Sequence, residues 1–267
     1  MFRSHVFKAG IAAALAAVAV GAGVWYFYLR SDAPPPVSLA NAIESLEAST
    51  PATSLVAATT TSASTTSTTS ATSETTTGDA AAPVGVTSND GLAGTWTVVI
   101  GDSSFVGYRV DETLAGVGAT TAVGRTGDIE GMLEFDGSTI TAVEVMADLT
   151  TLTSDKSMRD GQLGNQAIET NTYPAATFVL ASPIAISDVP EDGVSVTQTV
   201  TGELTLHGVT NTVEIEVEGA LQDGLLVVVG STEIQFADYD IDQPVSMSVV
   251  SIEDHGTMEF QLVFDLA

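Results

Sequence analysis

Val213-Glu214-Ile215-Glu216-Val217-Glu218 alternates an apolar side chain with a carboxylate at every step. In an extended strand successive side chains point to opposite faces, so this hexapeptide has one buried face and one wet face. The same period returns near the C-terminus. There Met258, Phe260, Leu262, Phe264 and Leu266 alternate with Thr257, Glu259, Gln261, Val263 and Asp265. Ile129, Leu133 and Phe135 share a face opposite Glu130, Glu134 and Asp136; Val143, Val145, Ala147 and Leu149 do so against Glu144 and Asp148. Turn signals separate such runs: Asp136-Gly137, Glu191-Asp192-Gly193, His207-Gly208 and Asp223-Gly224. Asp136-Gly137 lies between two runs and reads as a tight hairpin.

Working outward, residues 91–267 read as one all-β domain of about eight strands. An antiparallel up-and-down barrel removes the edges that long strands expose; a sandwich is the structural alternative. One short helix is expected over residues 155–163, capped by Ser154 and ended by Gly164.

Upstream the composition changes twice. Residues 31–90 begin with Pro34-Pro35-Pro36, and 20 of the 29 residues from Ser49 to Thr77 are Ser or Thr. So little apolar surface cannot repay the entropy of ordering, and the segment reads as a disordered spacer, a candidate for O-glycosylation. Leu39, Ile43 and Leu46 fall on one face of a transient helix too short to be stable alone. A flexible chain of this length reaches about 40 Å.

Residues 1–30 read as a membrane anchor. Ala9 to Leu29 carry no charge over 21 residues, which as a helix spans about 31 Å, the thickness of a bilayer's hydrocarbon. Arg3 and Lys8 precede the stretch and Trp25-Tyr26-Phe27-Tyr28 close it, so the N-terminus is expected in the cytoplasm and the remainder outside. The rival is a cleaved signal peptide, cut for example after Ala22, with a secreted product. The apolar run continues through bulky aromatics where a signal peptide turns polar, which favours the anchor.

Charge and cysteine content exclude whole classes. Seven basic against 34 acidic residues leave a net charge of −27, the reverse of a nucleic-acid footprint. Cysteine is absent, so disulfides, thiolate metal sites and a cysteine nucleophile are excluded. The domain itself holds 28 acidic and 4 basic residues, spread over many strands. That distribution suits a hydrated, soluble surface better than a single basic partner.

Several segments, in order, carry a family resemblance: Gly94-Thr95-Trp96, Ser103-Ser104-Phe105-Val106-Gly107-Tyr108-Arg109-Val110, Gly131-Met132-Leu133-Glu134-Phe135-Asp136, Met158-Arg159-Asp160, Thr172-Tyr173-Pro174-Ala175-Ala176-Thr177-Phe178, and Thr201-Gly202-Glu203-Leu204-Thr205-Leu206-His207-Gly208-Val209-Thr210. Together they resemble the YceI-like polyisoprenoid-binding family over almost all of residues 94–267. Phe236-Ala237-Asp238-Tyr239-Asp240-Ile241 departs from the family's late Arg-x-x-Phe-Gly-like stretch, and Leu114 to Thr126 is richer in Gly, Ala and Thr. The resemblance implies a lipocalin-like barrel holding a long isoprenoid chain, and an extracytoplasmic place; no cofactor is expected.

An eight-stranded barrel is wide enough for side chains or for one slender ligand. The candidate lumen residues are Tyr108, Val110, Leu133, Phe135, Val143, Val145, Phe178, Leu180, Leu204, Leu206, Ile215 and Phe260. Alternatively these fill a solid core, and the domain is a non-catalytic surface interaction or stress-protection scaffold. Of the four cations in the domain, Lys156 and Arg159 are the candidate pair for an anionic head group; the plainer reading pairs them with Asp155 and Asp160.

Catalytic signals are weak, and no enzyme is expected. Gly-x-Ser-x-Gly is missing. His207 beside Gly208 reads as a turn-stabilising residue. Glu253-Asp254-His255 alternates faces on an extended chain, against a metal site. Asp238, Asp240 and Asp242 lack the glycine and distal Glu of a calcium loop.

Overall fold

Tight turns with positive φ set the strand order. His207 and Gly208 sit at φ 52° and 76°, and Asp223 and Gly224 at 51° and 83°, the left-handed pairs that a two-residue hairpin requires. At Asp136-Gly137 the Asp136 carboxylate accepts from the backbone N–H of Ser138 and Thr139 at 2.9 and 2.7 Å. These bonds hold its pKa below the usual carboxylate value.

The computed structural model describes residues 33–49, 91–186, 192–244 and 246–267. The strands are β1 (Gly94–Val98), β2 (Phe105–Leu114), β3 (Gly118–Thr126), β4 (Ile129–Phe135), β5 (Thr139–Asp148), β6 (Thr153–Ser154) and β7 (Ala175–Leu180). They continue with β8 (Ile184–Ala185), β9 (Ser195–Leu206), β10 (Val209–Gln222), β11 (Leu225–Gln235), β12 (Val249–Ile252) and β13 (His255–Leu266). Every pairing is antiparallel. The order β1-β4-β5-β7-β9-β10-β11-β13 closes on itself through β1–β13. This is the barrel of eight strands that the alternation predicts, and a sandwich is excluded.

Strand β13 has two successive partners along one edge: β2 from Thr257 to Gln261, then β1 from Phe264 to Leu266. At the changeover the backbone of Val263 is still satisfied. Its N–H donates to Ser104 Oγ at 3.1 Å and its carbonyl accepts from Val99 N–H at 2.8 Å. Beyond β2 the sheet runs on as a flap of β3 and β6, with β12 against the end of β2.

Three expectations are corrected. Residues 33–49 are not a spacer. Helix α1 (Leu39–Ser49) packs Leu39 and Ala42 onto Val227, Val229 and Val263 of the barrel's outer wall. Ser38 Oγ accepts from Asn41 N–H at 3.4 Å, an N-cap. A helix this short is marginal alone, and tertiary burial of its apolar face stabilises it. The same docking overturns the wet face assigned to β13. Glu259, Gln261 and Val263 are 1%, 6% and 0% exposed, because residues 33–49 cover them. The third correction concerns the short helix. Helix α2 spans Ser157–Gln162, begins after Lys156 and runs on as a π turn through Leu163–Ala167. Ser154 stays extended because Asp160 accepts from both its N–H and Oγ, at 3.0 and 2.6 Å.

Residues 1–32 and 50–90 lie outside the described residues, and with them the anchor, the rival cleavage site and most of the spacer. Among the described residues no helix is long and apolar enough to cross a membrane.

Candidate functional site

The inward faces of the ring strands supply most of the wall of an apolar chamber of about 250 Å³, and a second of about 150 Å³ adjoins it, walled largely by β2, β12 and residues 149–168 and 236–244. Val106, Ala176, Leu204 and Met258 line both and form the waist between them. Together they reach the scale of a small-molecule pocket, roughly 300–1,000 Å³. Leu133, Phe135, Val143, Val145, Phe178, Ile215 and Phe260 line the larger chamber. Tyr108, Val110 and Leu206 line the smaller one. Leu180 lines neither, because β7 contributes its lining residues, Ala176 to Phe178, before that point. The waist residues Val106, Ala176 and Met258 escaped the sequence reading, although Met258 shares the inward period of Phe260.

Aromatic rings lie along the wall rather than across the lumen. Tyr108 pairs directly with Gly124, and Phe260 with Gly230. In each case the ring occupies the space that a glycine Cβ would need, and Phe178 covers Gly202 in the same way. A glycine within a strand marks such a close approach.

The larger chamber offers few polar groups, chiefly Thr177 and Gln198. The smaller has more: Glu112, Arg159, Gln162 and Asp242 contribute to its lining. Burial pushes the Tyr108 phenol up to about 12, so it stays protonated. Arg159 Nη2 donates to Glu112 Oε1 at 2.6 Å and Nη1 to Asp155. Its charge is therefore already matched.

The expected head-group pair does not converge. Lys156 precedes α2, lines neither chamber, and reaches Asp155 only at 3.9 Å. Asp160, the other expected partner, is engaged by Ser154. The remaining two cations are on the outer wall. Arg109 Nε donates to Glu259 Oε2 at 2.9 Å and Arg125 Nη2 to Oε1 at 2.7 Å. Arg109 also donates to the Pro34 carbonyl, and Arg125 to that of Pro35 at 3.5 Å. Arg125 further stacks over Phe105 at 3.9 Å. This triad, with Glu259 buried and both arginines partly so, fastens residues 33–49 to the barrel.

His207 is a fastener. Its Nδ1 lies 3.0 Å from the Tyr239 carbonyl, which only accepts, so Nδ1 carries the proton. Nε2 lies 3.1 Å from Glu169, and the ring meets Tyr173 edge-on at 4.4 Å. Glu253, Asp254 and His255 bring one ligand atom each within 4.8 Å of one another, where the alternation of an extended chain predicts divergence. The hydrogen bond from His255 to Asp254, 3.0 Å long, raises the imidazole above its usual value. Glu253 and Asp254 are exposed and His255 is half-buried, and all three lie outside both chambers.

Comparison with known proteins agrees with this geometry. The YceI-like domain model matches residues 96–264. A UPF0312 protein of Vibrio parahaemolyticus is 30% identical over 184 residues, covering 66% of this chain and 89% of that protein. A UPF0312 protein of Vibrio campbellii is 33% identical over 141 residues, covering 49% and 71%. Among solved structures, a polyisoprenoid binding domain from Saccharophagus degradans, implicated in plant cell wall breakdown, superposes with a TM-score of 0.50 at 16% identity. It covers 66% of this chain and 99% of that one, a likeness of fold. The closed eight-stranded ring and the matched stretch from Trp96 to Phe264 place this chain in the YceI-like domain family.

Proposed function

We propose that this protein is a membrane-anchored, extracytoplasmic lipid-binding protein. Its barrel holds a polyisoprenoid or similar long apolar molecule, for sequestration or transport. The observation that carries the reading is the pair of adjoining chambers walled almost wholly by apolar side chains. Each buried methylene contributes about 0.8 kcal/mol, so a slender chain accumulates affinity from many weak contacts without a catalytic group. The polyisoprenoid binding named for the Saccharophagus degradans domain supports the same ligand class. Since Glu112 and Asp155 already neutralise Arg159, an uncharged head group fits the smaller chamber better than a phosphate. The uncharged stretch Ala9 to Leu29 supports the anchor.

The test is extraction of the purified full chain with organic solvent followed by mass spectrometry, alongside uptake of a fluorescent polyprenyl probe. Wild-type protein is expected to release a long apolar lipid and to take up the probe. Val145→Trp, which fills the larger chamber, is expected to fold but to take up several-fold less. Wild-type protein that neither releases lipid nor takes up probe overturns the reading and returns the barrel to a solid scaffold.

A further inference from the structure

We infer that residues 33–49 clamp the barrel close to the bilayer, with the barrel end that carries Met158, Met247 and Val250 seated on a zwitterionic lipid surface. The inference rests on the anchor reading above and deepens it.

A tether works only if it is free. Here the chain is caught immediately after the apolar stretch. Pro34 and Pro35 give their carbonyls to Arg109 and Arg125, and Leu39 and Ala42 are buried against the barrel. Between Leu29, the last residue of the uncharged stretch, and Ala33 there are four steps of chain, at most about 14 Å when extended. The Ser/Thr tract then joins two points of one body, the end of α1 and the start of β1. It adds nothing to the distance between anchor and barrel.

The place where the chain is caught decides which end faces the lipid. Ala33 and Pro34 share a groove with Thr121, Ser154 and Asp155. Asp155 binds Arg159 in α2, and Arg159 ties that helix to Glu112 of β2. Glu112 pairs with Ile252, and Leu114 with Val249, on β12. Arg159, Val249 and Ile252 all wall the smaller chamber. On the outside of these elements Met158, Met247 and Val250 are each at least 67% exposed. The nearby Asp155, Asp242, Glu253 and Asp254 oppose an anionic surface, so the contact is apolar and the lipid zwitterionic. Seated in this way, an apolar ligand passes between bilayer and smaller chamber over a short path.

The chain's lack of cysteine makes the test direct. Met158→Cys and Met247→Cys, with Val194→Cys just before the start of β9 as reference, are labelled with an environment-sensitive dye. Each full chain is reconstituted into phosphatidylcholine vesicles carrying a nitroxide-labelled lipid. Quenching at 158 and 247 is expected to exceed that at 194 several-fold. Equal quenching in protein that floats with the vesicles overturns the inference while leaving the anchor intact. Protein that does not float overturns the anchor reading and the inference with it. Lipid recovered from the lumen is measured separately and reports on the binding reading. Ala42→Glu, which expels α1, is expected to keep flotation and the β signature in circular dichroism but to reduce quenching at 158 to the level at 194. Unchanged quenching in that variant shows that the clamp does not hold the barrel.

Discussion

Phe260 stands directly opposite Gly230 on the neighbouring strand, and its ring folds over the glycine so closely that a Cβ there would lie 2.5 Å from the ring's Cζ. The pair keeps a large apolar side chain on the chamber wall without filling the chamber. Tyr108 over Gly124 and Phe178 over Gly202 repeat the device. The glycines are the space into which aromatic volume retreats, leaving the lumen hollow.

Gly230→Ala therefore acts at a distance of one strand. The added methyl drives the Phe260 ring into the larger chamber, and overpacking of this kind costs about 1–3 kcal/mol. Probe uptake is expected to fall and urea unfolding to shift to lower concentration. Adding Phe260→Ala to Gly230→Ala is expected to restore uptake. No recovery would show that the ring is not what blocks the chamber.

The bond between Arg159 and Glu112, whose side chains are 14% and 6% exposed, stabilises the seam between α2 and β2. Arg159→Met leaves the Glu112 carboxylate buried without its partner, a loss of about 3–5 kcal/mol. The double variant Arg159→Met with Glu112→Leu is expected to recover most of it, because no buried charge remains unpaired and Asp155 is exposed. Chemical denaturation of the two variants measures this, and equal stabilities would refute it.

Tyr108 makes stability depend on alkaline pH. Its folded pKa of about 12, raised above 10.0 by burial, means that the unfolded chain loses this proton first. The native state then holds more protons than the unfolded state, so stability falls as pH rises. The contribution is complete below pH 10 and is lost through pH 12, up to about 3 kcal/mol at 1.36 kcal/mol per unit. Tyr108→Phe is expected to flatten that slope in melts between pH 9.5 and about 11.5. Parallel slopes would remove Tyr108 as their cause.

Glu259 lies between two guanidinium groups and is 1% exposed. Glu259→Leu leaves Arg109 and Arg125 facing each other without the three hydrogen bonds they give its carboxylate. A loss of about 3 kcal/mol is expected, with faster proteolysis within residues 33–49 than in wild type. Loss of stability with α1 still protected would show that the triad serves the barrel and not the clamp.

The sequence was an accurate guide wherever the information was local. Asp136-Gly137, His207-Gly208 and Asp223-Gly224 marked turns because few residues adopt the backbone those turns need. Alternation at Val213 to Glu218 marked strands, and all but one of the candidate lumen residues line a chamber, because strand parity places them on the inward face. Leu180 failed at a strand end, where parity alone does not keep a residue against the lumen. Parity also says nothing about what covers the outer face, so Glu259, Gln261 and Val263 read as wet. One local clue existed: Leu225-Leu226-Val227-Val228-Val229 is apolar on both faces, which a strand tolerates only when both faces are covered.

Sequence by itself determined the strand periodicity, the tight hairpins, the acid coat and the amphipathic face of Leu39, Ile43 and Leu46, since each depends on neighbours a few residues apart. Tertiary structure alone decided where that helix docks, that Arg159 pairs with Glu112 and not with a ligand, and that Phe260 folds aside to leave a hollow. Those outcomes join residues far apart in the chain, and the volume left between them depends on how side chains from separate strands pack. No single segment encodes that packing.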